Sequence, residues 1–500
     1  MNSPSVTAAM LYDLVRCPRR VALDLYGDPS RKDPVSPFVQ LLWERGTAFE
    51  QEVMAGAGVP FTDLSVLSGS EKERATLAAI QRGDTLIYAG RIQAGDLLGV
   101  PDLLRKSGNG YTAGDIKSGA GLDGGSDLEG GRPKHHYAVQ LALYTDILER
   151  LGHSDGHRRP FVWDVHGDEI AYDLNRPVSS RSPETWWEYY RAMLDRARAI
   201  VQKTEDTRPA CMSECKLCRW ITLCREELRR ACDLTLIPEL GRSRRDVMLP
   251  RIRSIQQMAG AHLDNYISGR KTVFRGIGPD TLAVFRTRAR LLTETGARAF
   301  ATETLDLPDT DLELFFDVET DPFRDVCYLH GFVERRFGDS RNEKYIYFLA
   351  ENPSDEAERE AFFDAMQYLR SRAGAAVYYY SSYERTTYRK LQQRYPDVAD
   401  TGEIEALFAS PLFVDLYTDV VRKKTEWPVN DYSIKTLARH LGFRWRDVSP
   451  SGAESIQWYH QWVETGDPDI RQRILDYNED DCAATRVLLD GLRGLAVRGI

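Results

Sequence analysis

Cysteine placement constrains this chain most: five of its eight cysteines crowd between Cys211 and Cys232, while Cys17, in LVRCPRR, stands about two hundred residues upstream. Cys215, Cys218 and Cys224 follow a Cys-x2-Cys-x5-Cys spacing. In a chain of 500 residues this clustering points to metal ligation in a reducing compartment rather than to a secreted disulfide scaffold. If Cys17 is the fourth thiolate, the first helix must return onto a segment near residue 220, and everything between is enclosed in one domain. Cys211 is the rival for that position, since Cys211-x3-Cys215 would make a wholly local site. Cys232, Cys327 and Cys482 are isolated and read as buried apolar residues.

A composition of 42% hydrophobic and 28% charged residues is globular, and the length predicts two to four domains. No run of eighteen apolar residues occurs and MNSPSVTAAMLYDLV lacks the features of a secretory signal, so the expectation is a soluble cytoplasmic protein with no membrane partner. A net charge of −9 argues against a uniformly phosphate-coated surface, but it leaves room for local carboxylate clusters that hold divalent cations. No GxxxxGKS/T string is present, hence no recognisable ATP-driven motor.

LLGVPDLLRKSGNGYTAGDIKSG carries two strand-like runs, Leu97 to Leu104 and Tyr111 to Ile116, around the turn signal Ser107-Gly108-Asn109-Gly110. This predicts a hairpin. A turn at Gly108-Asn109 sets Asp102 opposite Asp115, and one at Asn109-Gly110 sets it opposite Lys117. Either register puts Asp102, Asp115 and Lys117 on one face. Two carboxylates aimed at one point repel unless a cation lies between them, while a neighbouring ammonium orients an attacking water and stabilises developing negative charge. A phosphodiester is the natural substrate of such a set. Glu50, four residues after Gly46 on an amphipathic helix from Phe38 to Ala55, supplies a third carboxylate. Gln140 and Tyr144 lie one turn apart on a helix predicted to begin near Lys134, so both face the same point. The glycine-rich SGAGLDGGSDLEGGRPKHH between Lys117 and that helix reads either as a flap over the site or as a surface insertion. A second amphipathic helix is predicted over Pro183 to Gln202. His135 and His136 are assigned no role.

Residues 236–300 hold twelve Lys or Arg against five Asp or Glu, a local +7 in an acidic chain. Within them FRGIGPDTLAVF has the Gly276-Ile277-Gly278 core of a helix-hairpin-helix, followed by a helix whose amides would receive a backbone phosphate. LIPELGRSRRDVMLPRIRSIQQMA looks like a degenerate first copy. Beyond ATETLDLPDTD, a linker, strand-like runs alternate with helices as in an α/β domain. In LELFFDVET, Leu314, Phe316 and Val318 fall on one strand face, and Asp317 with Glu319 on the other. A helix opening at Asp467-Pro468 puts Tyr477 one turn before Asp481. Glu479 and Asp480 read as solvated, and tyrosines 378–380 as sheet core.

The first constellation resembles the PD-(D/E)XK superfamily in its RecB-like branch, whose pattern is a helix acid or His, then Asp, then (D/E)xK, then Gln-x3-Tyr. Order and spacing match. One departure is that many relatives place a metal-binding His after the helix glycine, where this chain has Phe49 and Glu50. The cysteines and the Cys-Pro-Arg-Arg neighbourhood of Cys17 resemble RecB-like nucleases that hold a 4Fe-4S cluster, among them CRISPR-associated and AddB-type members. The resemblance implies that Cys17, Cys215, Cys218 and Cys224 hold such a cluster in a structural role, although four thiolates also suit zinc.

The C-terminal constellation resembles DEDD exonucleases of the ribonuclease H-like fold, tyrosine subclass. That implies two-metal removal of nucleotides from a 3′ end by Asp317, Glu319, Tyr477 and Asp481. At the middle aspartate of that pattern this chain offers Glu384, in VYYYSSYERTTYRKL; Asp415 in FVDLYTDV resembles an auxiliary aspartate, or completes the site instead. YSIKTLARHLGF resembles the family's connecting helices, with Lys435 near the substrate strand.

These readings predict an α/β multidomain protein: a restriction-endonuclease-like PD-(D/E)XK core at 1–232, a basic helix-hairpin-helix segment at 233–305 and a ribonuclease H-like mixed-sheet domain at 306–500. The expected activity is that of an exodeoxyribonuclease with two Mg²⁺- or Mn²⁺-dependent sites, acting on single-stranded DNA or DNA ends in repair, recombination or defence. Gly276, Gly278 and Lys435 are the expected nucleic-acid contacts. Another reading is a nucleic-acid-binding scaffold for a separate helicase, one or both sites having lapsed. RNA is a third possible target, since nothing in the sequence reads a 2′-hydroxyl.

Overall fold

The computed structural model describes residues 4–124, 131–448 and 450–499. The chain divides into two compact units, Met1–Pro209 with Ser213–Cys224, and Ala210–Met212 with Arg225–Ile500.

The first unit opens with α1 (Ala8–Arg16), capped by the Thr7 hydroxyl, and α2 (Pro18–Tyr26), whose leading proline loses no helical hydrogen bond. Cys17 is the single residue between them. After α3 (Pro37–Ala55) comes a mixed sheet of six strands: β1 (Thr62–Asp63), β2 (Leu86–Tyr88), β3 (Leu103–Ser107), β4 (Gly110–Ile116), β5 (Phe161–Trp163) and β6 (Glu169–Ala171), ordered β6-β5-β4-β3-β2-β1. Ser107 pairs with Gly110, so the hairpin turn is Gly108-Asn109, and Gly108 takes the positive φ of +56° that suits a residue without Cβ. Continuing the register sets Asp102 opposite Asp115.

Helix α4 (His135–Leu151) lies against the sheet and packs on α1 and on α5 (Trp186–Val201). Its run Tyr137 to Leu148 is buried all round apart from Gln140, which is why it is apolar on nearly every face. The second amphipathic helix starts at Trp186 rather than Pro183, because Ser182–Thr185 forms a strand with Pro177–Ser179 and Thr185 then closes a capping box with Glu188. Of the glycine-rich stretch after Lys117, residues 125–130 lie outside the described residues. Its flanks, Leu122–Asp123 and Arg132–Pro133, pair as a short antiparallel ribbon.

In the second unit the basic segment folds around a small core of its own, with helices over Gly241–Met248 and Ile255–Ala259, a two-stranded ribbon of Ile267–Ser268 with Lys271–Thr272, and α7 (Pro279–Thr293). Gly276-Ile277-Gly278 therefore joins a ribbon to α7, not one helix to another as expected, because Gly269, at φ +59°, turns the chain back into the ribbon. Ile277 is buried in that core. The local +7 is also not all surface charge. Arg245 is buried against Asp233 and Asp246, and Arg288 against Glu239 and Glu426.

The remainder is a five-stranded sheet of β7 (Leu312–Asp321), β8 (Val326–Arg336), β9 (Lys344–Leu349), β10 (Ala376–Tyr379) and β11 (Phe413–Asp415), ordered β9-β8-β7-β10-β11. The first three strands are antiparallel, and β10 and β11 run parallel to β7. Leu314, Phe316 and Val318 pack on one face with residues of α8 (Asp355–Ser371) and α9 (Tyr383–Arg394). Phe315 faces the other side with Leu488 and Leu489 of α12 (Pro468–Arg493). Asp467 caps α12 as its sequence predicts, and α10 (Ile434–His440) and α11 (Gly452–Thr465) precede it. Tyr378 and Tyr379 are sheet core. Among the described residues no helix is long and apolar enough to cross a membrane.

Candidate active sites

In the first unit the hairpin register brings Asp102 and Asp115 side by side. The Asp102 amide donates to Asp115 Oδ1 (3.4 Å), and Asp102 Oδ2 accepts the Ile116 N–H (2.8 Å). Asp115 Oδ2, otherwise without a hydrogen-bond partner, faces Lys117 Nζ at 2.9 Å. Burial, and next the Asp115 charge, hold the Asp102 carboxyl well above the usual carboxylate range. Burial opposes the Lys117 charge, but Asp115 and Asp102 outweigh it and keep the ammonium protonated. Glu50 on α3 joins this neighbourhood: burial raises its carboxyl, while the Lys117 charge acts in the opposite sense.

From α4, Gln140 Nε2 donates to the Tyr144 hydroxyl (3.1 Å), which donates to the Val100 carbonyl (3.3 Å). Burial lifts the Tyr144 phenol, with Asp115, Asp102 and Glu50 adding to it, so the phenol faces the same acids. Asp115 is buried, with Asp102 and Glu50 half-buried beside it, but the ligand oxygens of these three do not all come within 4.8 Å of one another.

Cys17 ends α1 and begins α2 in extended backbone (φ −156°). Cys215 and Cys218 lie at a 3₁₀ turn, closed by the Cys218 amide on the Cys215 carbonyl (3.1 Å), and Cys224 lies on α6 (Ile221–Ala231). The segment is tied to the region after α1 by Trp220 Nε1 on Asp24 (2.9 Å) and Arg219 Nε on the Asp33 carbonyl (2.9 Å). Burial raises the Cys218 thiol, and Cys17 and Cys215 lie near enough to add to that shift. The rival Cys211 belongs to the other unit. Its amide donates to Thr235, and the groups that act on its thiol are Arg225, Asp431 and Asp233 rather than cysteines. Cys327 and Cys482 are buried as expected, whereas Cys232 is half-buried at a left-handed turn (φ +46°) where α6 ends.

In the second unit Asp317, Glu319 and Asp481 bring ligand oxygens within 4.8 Å of one another, the one such trio of His, Cys, Asp or Glu among the described residues. Strand β7 presents the first two and α12 the third. Burial raises all three, and neighbouring acids add to it at Asp317 and Glu319: Glu319 is pushed up to about 8, chiefly by burial and then by Asp481. The Lys435 ammonium opposes these shifts, bonding the Tyr477 hydroxyl (2.7 Å) and the Pro450 carbonyl (2.8 Å). Tyr477 in turn donates to Asp481. Lys435, expected beside the substrate strand, thus stands among the acids themselves.

Glu384 sits in the first turn of α9, buried, with Oε2 lacking a hydrogen-bond partner, and its charge acts on Asp317. It lies outside the trio. Asp415 Oδ1 accepts the amides of Ser381 (3.0 Å) and Thr418 (2.8 Å), and its charge acts on Glu384. Asp480 is not solvated as expected: it is 7% exposed and accepts the Arg446 amide (2.7 Å) and Nε (2.9 Å).

Several residues that orient the acids escaped the sequence reading. Asn478 Nδ2 donates to Asp317 (2.7 Å) and is itself held by the Tyr345 hydroxyl (2.8 Å). Trp445 Nε1 donates to Asp481 (2.6 Å). Tyr328 bridges Ser455 of α11 (2.7 Å) and Glu319 (3.4 Å). The one available signal was Asn478, an amide three residues before Asp481 on α12.

Each unit thus gathers acids at its mixed sheet, and each matches a family model. Residues 39–225 match the family model of the PD-(D/E)XK nuclease superfamily, and residues 314–493 that of the RNase H superfamily. The chain pairs domains of these two nuclease superfamilies. No curated protein matches it.

Proposed function

We propose that the protein is a divalent-metal-dependent DNA nuclease with two active sites, working on single strands or ends in repair, recombination or defence. The convergence of Asp317, Glu319 and Asp481 carries this reading, because three acids within 4.8 Å, with Glu319 buried and Asp317 half-buried, are tolerable at neutral pH only with protons or cations among them. Mg²⁺ or Mn²⁺ held by these residues, with Glu384 beside them, and by Glu50, Asp102 and Asp115 in the other unit, would supply Lewis acidity toward a phosphodiester. Tyr477, its hydroxyl fixed between Lys435 and Asp481, orients the attacking water; Lys117 does so in the first site and stabilises developing charge. Gln140 and Tyr144 hold the wall of that site. A 3′-end exonuclease reaction is assigned to the second site. Gly278, at the head of α7, and the exposed arginines of the same segment contact phosphate without reading sequence.

Cys17, Cys215, Cys218 and Cys224 hold a 4Fe-4S cluster that ties the start of the first domain to its end. Their donor set of four thiols in one unit fits such a group, and its role is structural. Digestion of end-labelled DNA with Mg²⁺ or Mn²⁺ tests the main reading. Wild type cleaves, and Lys117→Ala and Asp317→Ala each remove part of the activity. Binding without cleavage by all three would instead support a scaffold serving a separate helicase, and matched RNA substrates decide the sugar.

A further inference from the structure

The first unit contains a concavity of about 800 Å³ that the nuclease residues do not use, within the range of ligand sites, about 300–1,000 Å³. Arg132, Arg159, Arg176 and Arg181 line it with one carboxylate, Asp173. Asp173 is matched by Arg176 at 3.5 Å. Among the described residues Arg132, Arg159 and Arg181 form no ion pair, although Asp123 stands opposite Arg132 in the ribbon, so the described lining sets four arginines against Asp173 in a chain whose net charge is −9. The floor is apolar, made by Ile170, Val178 and the buried Trp186.

Sheet register links this concavity to the first active site. Asp115, Val162 and Ile170 form one row across β4, β5 and β6, so Ile170 stands on the same sheet face as Asp115, two strand spacings away, on the order of 10 Å. Gly121, four residues after Lys117, lies over the Ile170 end of this row. Gly121 rests so close to Ile170 that a Cβ there would meet it at 2.8 Å, and its carbonyl accepts the Tyr172 hydroxyl.

We propose that this arginine-rimmed concavity binds the phosphate backbone of the nucleic-acid strand whose neighbouring segment occupies the Asp102–Asp115–Lys117 site. The inference rests on the nuclease reading. Arginine suits it, because a guanidinium stays charged and grips phosphate bidentately while its stem lies on an apolar floor. Being sequence-blind, the contact lengthens the footprint without adding specificity.

The test is fluorescence anisotropy of a labelled single-stranded DNA oligonucleotide on the full chain in EDTA, across a salt series. Each lost phosphate contact lowers the slope of log affinity against log salt by about 0.7 for a single strand. Arg132→Gln/Arg159→Gln/Arg181→Gln is expected to lower the slope by about 2 and to weaken binding at least tenfold at low salt, on the order of three lost contacts. The corresponding triple lysine variant keeps most of the slope, which separates charge from folding. An unchanged slope in the glutamine variant, or an equal loss in both variants, overturns the proposal while leaving the nuclease reading intact. Failure of the wild type to bind any nucleic acid would instead sink both. Competition by poly-glutamate as strong as that by DNA would show a generic polyanion surface and also overturn it.

Discussion

Asn478 reaches Asp317 only because residue 331 is glycine. A Cβ at Gly331 would lie 1.6 Å from Asn478 Oδ1, closer than any two such atoms can stand. Gly331→Ala must therefore push Asn478 off Asp317 and disorganise one acid without touching its charge. Second-sphere losses around a metal run to about 10–100-fold, and both Gly331→Ala and Asn478→Ala are expected to lower second-site activity by about that much, read as kcat on a 3′-labelled strand. Glu319 gives a pH dependence. Its carboxyl is raised from 4.5 to about 8, so the metal-free fold keeps a proton there, and the stability this contributes is present below pH 4.5 and lost as pH rises to about 8. Melting temperature in EDTA is expected to fall across that window less steeply in Glu319→Gln. Mn²⁺, which replaces the proton, should raise it more at pH 8 than at pH 6.

Among elements, α12 brings the most to the candidate site: one helix supplies Tyr477, Asn478 and Asp481 within two turns, and its placement depends on where it begins. Asp467 accepts the Asp469 amide at its start, and Asp467→Ala is expected to cost about 1 kcal/mol by chemical denaturation, the usual worth of such a cap. This start was legible, since an Asp-Pro pair both caps a helix and opens it. The hairpin of the first site was legible to within one residue; packing chose between the two turns. The Gly-Ile-Gly segment was misread, because its sequence states that the chain turns and leaves open what it turns from. The α9 start is a different case. Ser381, at φ +98°, makes a strained corner between β10 and α9 that aims Glu384 toward Asp317, and no local pattern announces such a corner. The cysteine segment offers a third test at this scale: Cys17→Ser should bleach a broad visible absorption from anaerobically purified protein if iron is bound, and change nothing visible if zinc is.

At the scale of the molecule, charge is distributed by burial more than by composition. Arg288 of α7 is sealed against Glu426 (2.8 and 3.2 Å), the Pro238 carbonyl and Glu239, with Tyr432 completing the carboxylate's bonds. An arginine counted toward a basic surface is thus a rivet between α7 and the body of the second unit. Arg288→Met is expected to destabilise by about 3–5 kcal/mol, because Glu426 is left buried without a counter-charge, and the double change with Glu426→Leu should recover much of that in thermal unfolding.

By itself the sequence determined which candidate groups stand side by side. Residue types and short-range spacing, period two on β4 and β7 and one helical turn on α4 and α12, place Asp115 with Lys117, Asp317 with Glu319, and Tyr477 with Asp481, because local geometry is set within a few residues. Tertiary structure alone decided which distant groups meet: Asn478 on Asp317, Lys435 among the acids, and Asp480 buried under Arg446. Such meetings depend on packing between elements far apart in the chain, and a side chain's partner there follows from the volume and charge left open to it, which no local pattern records.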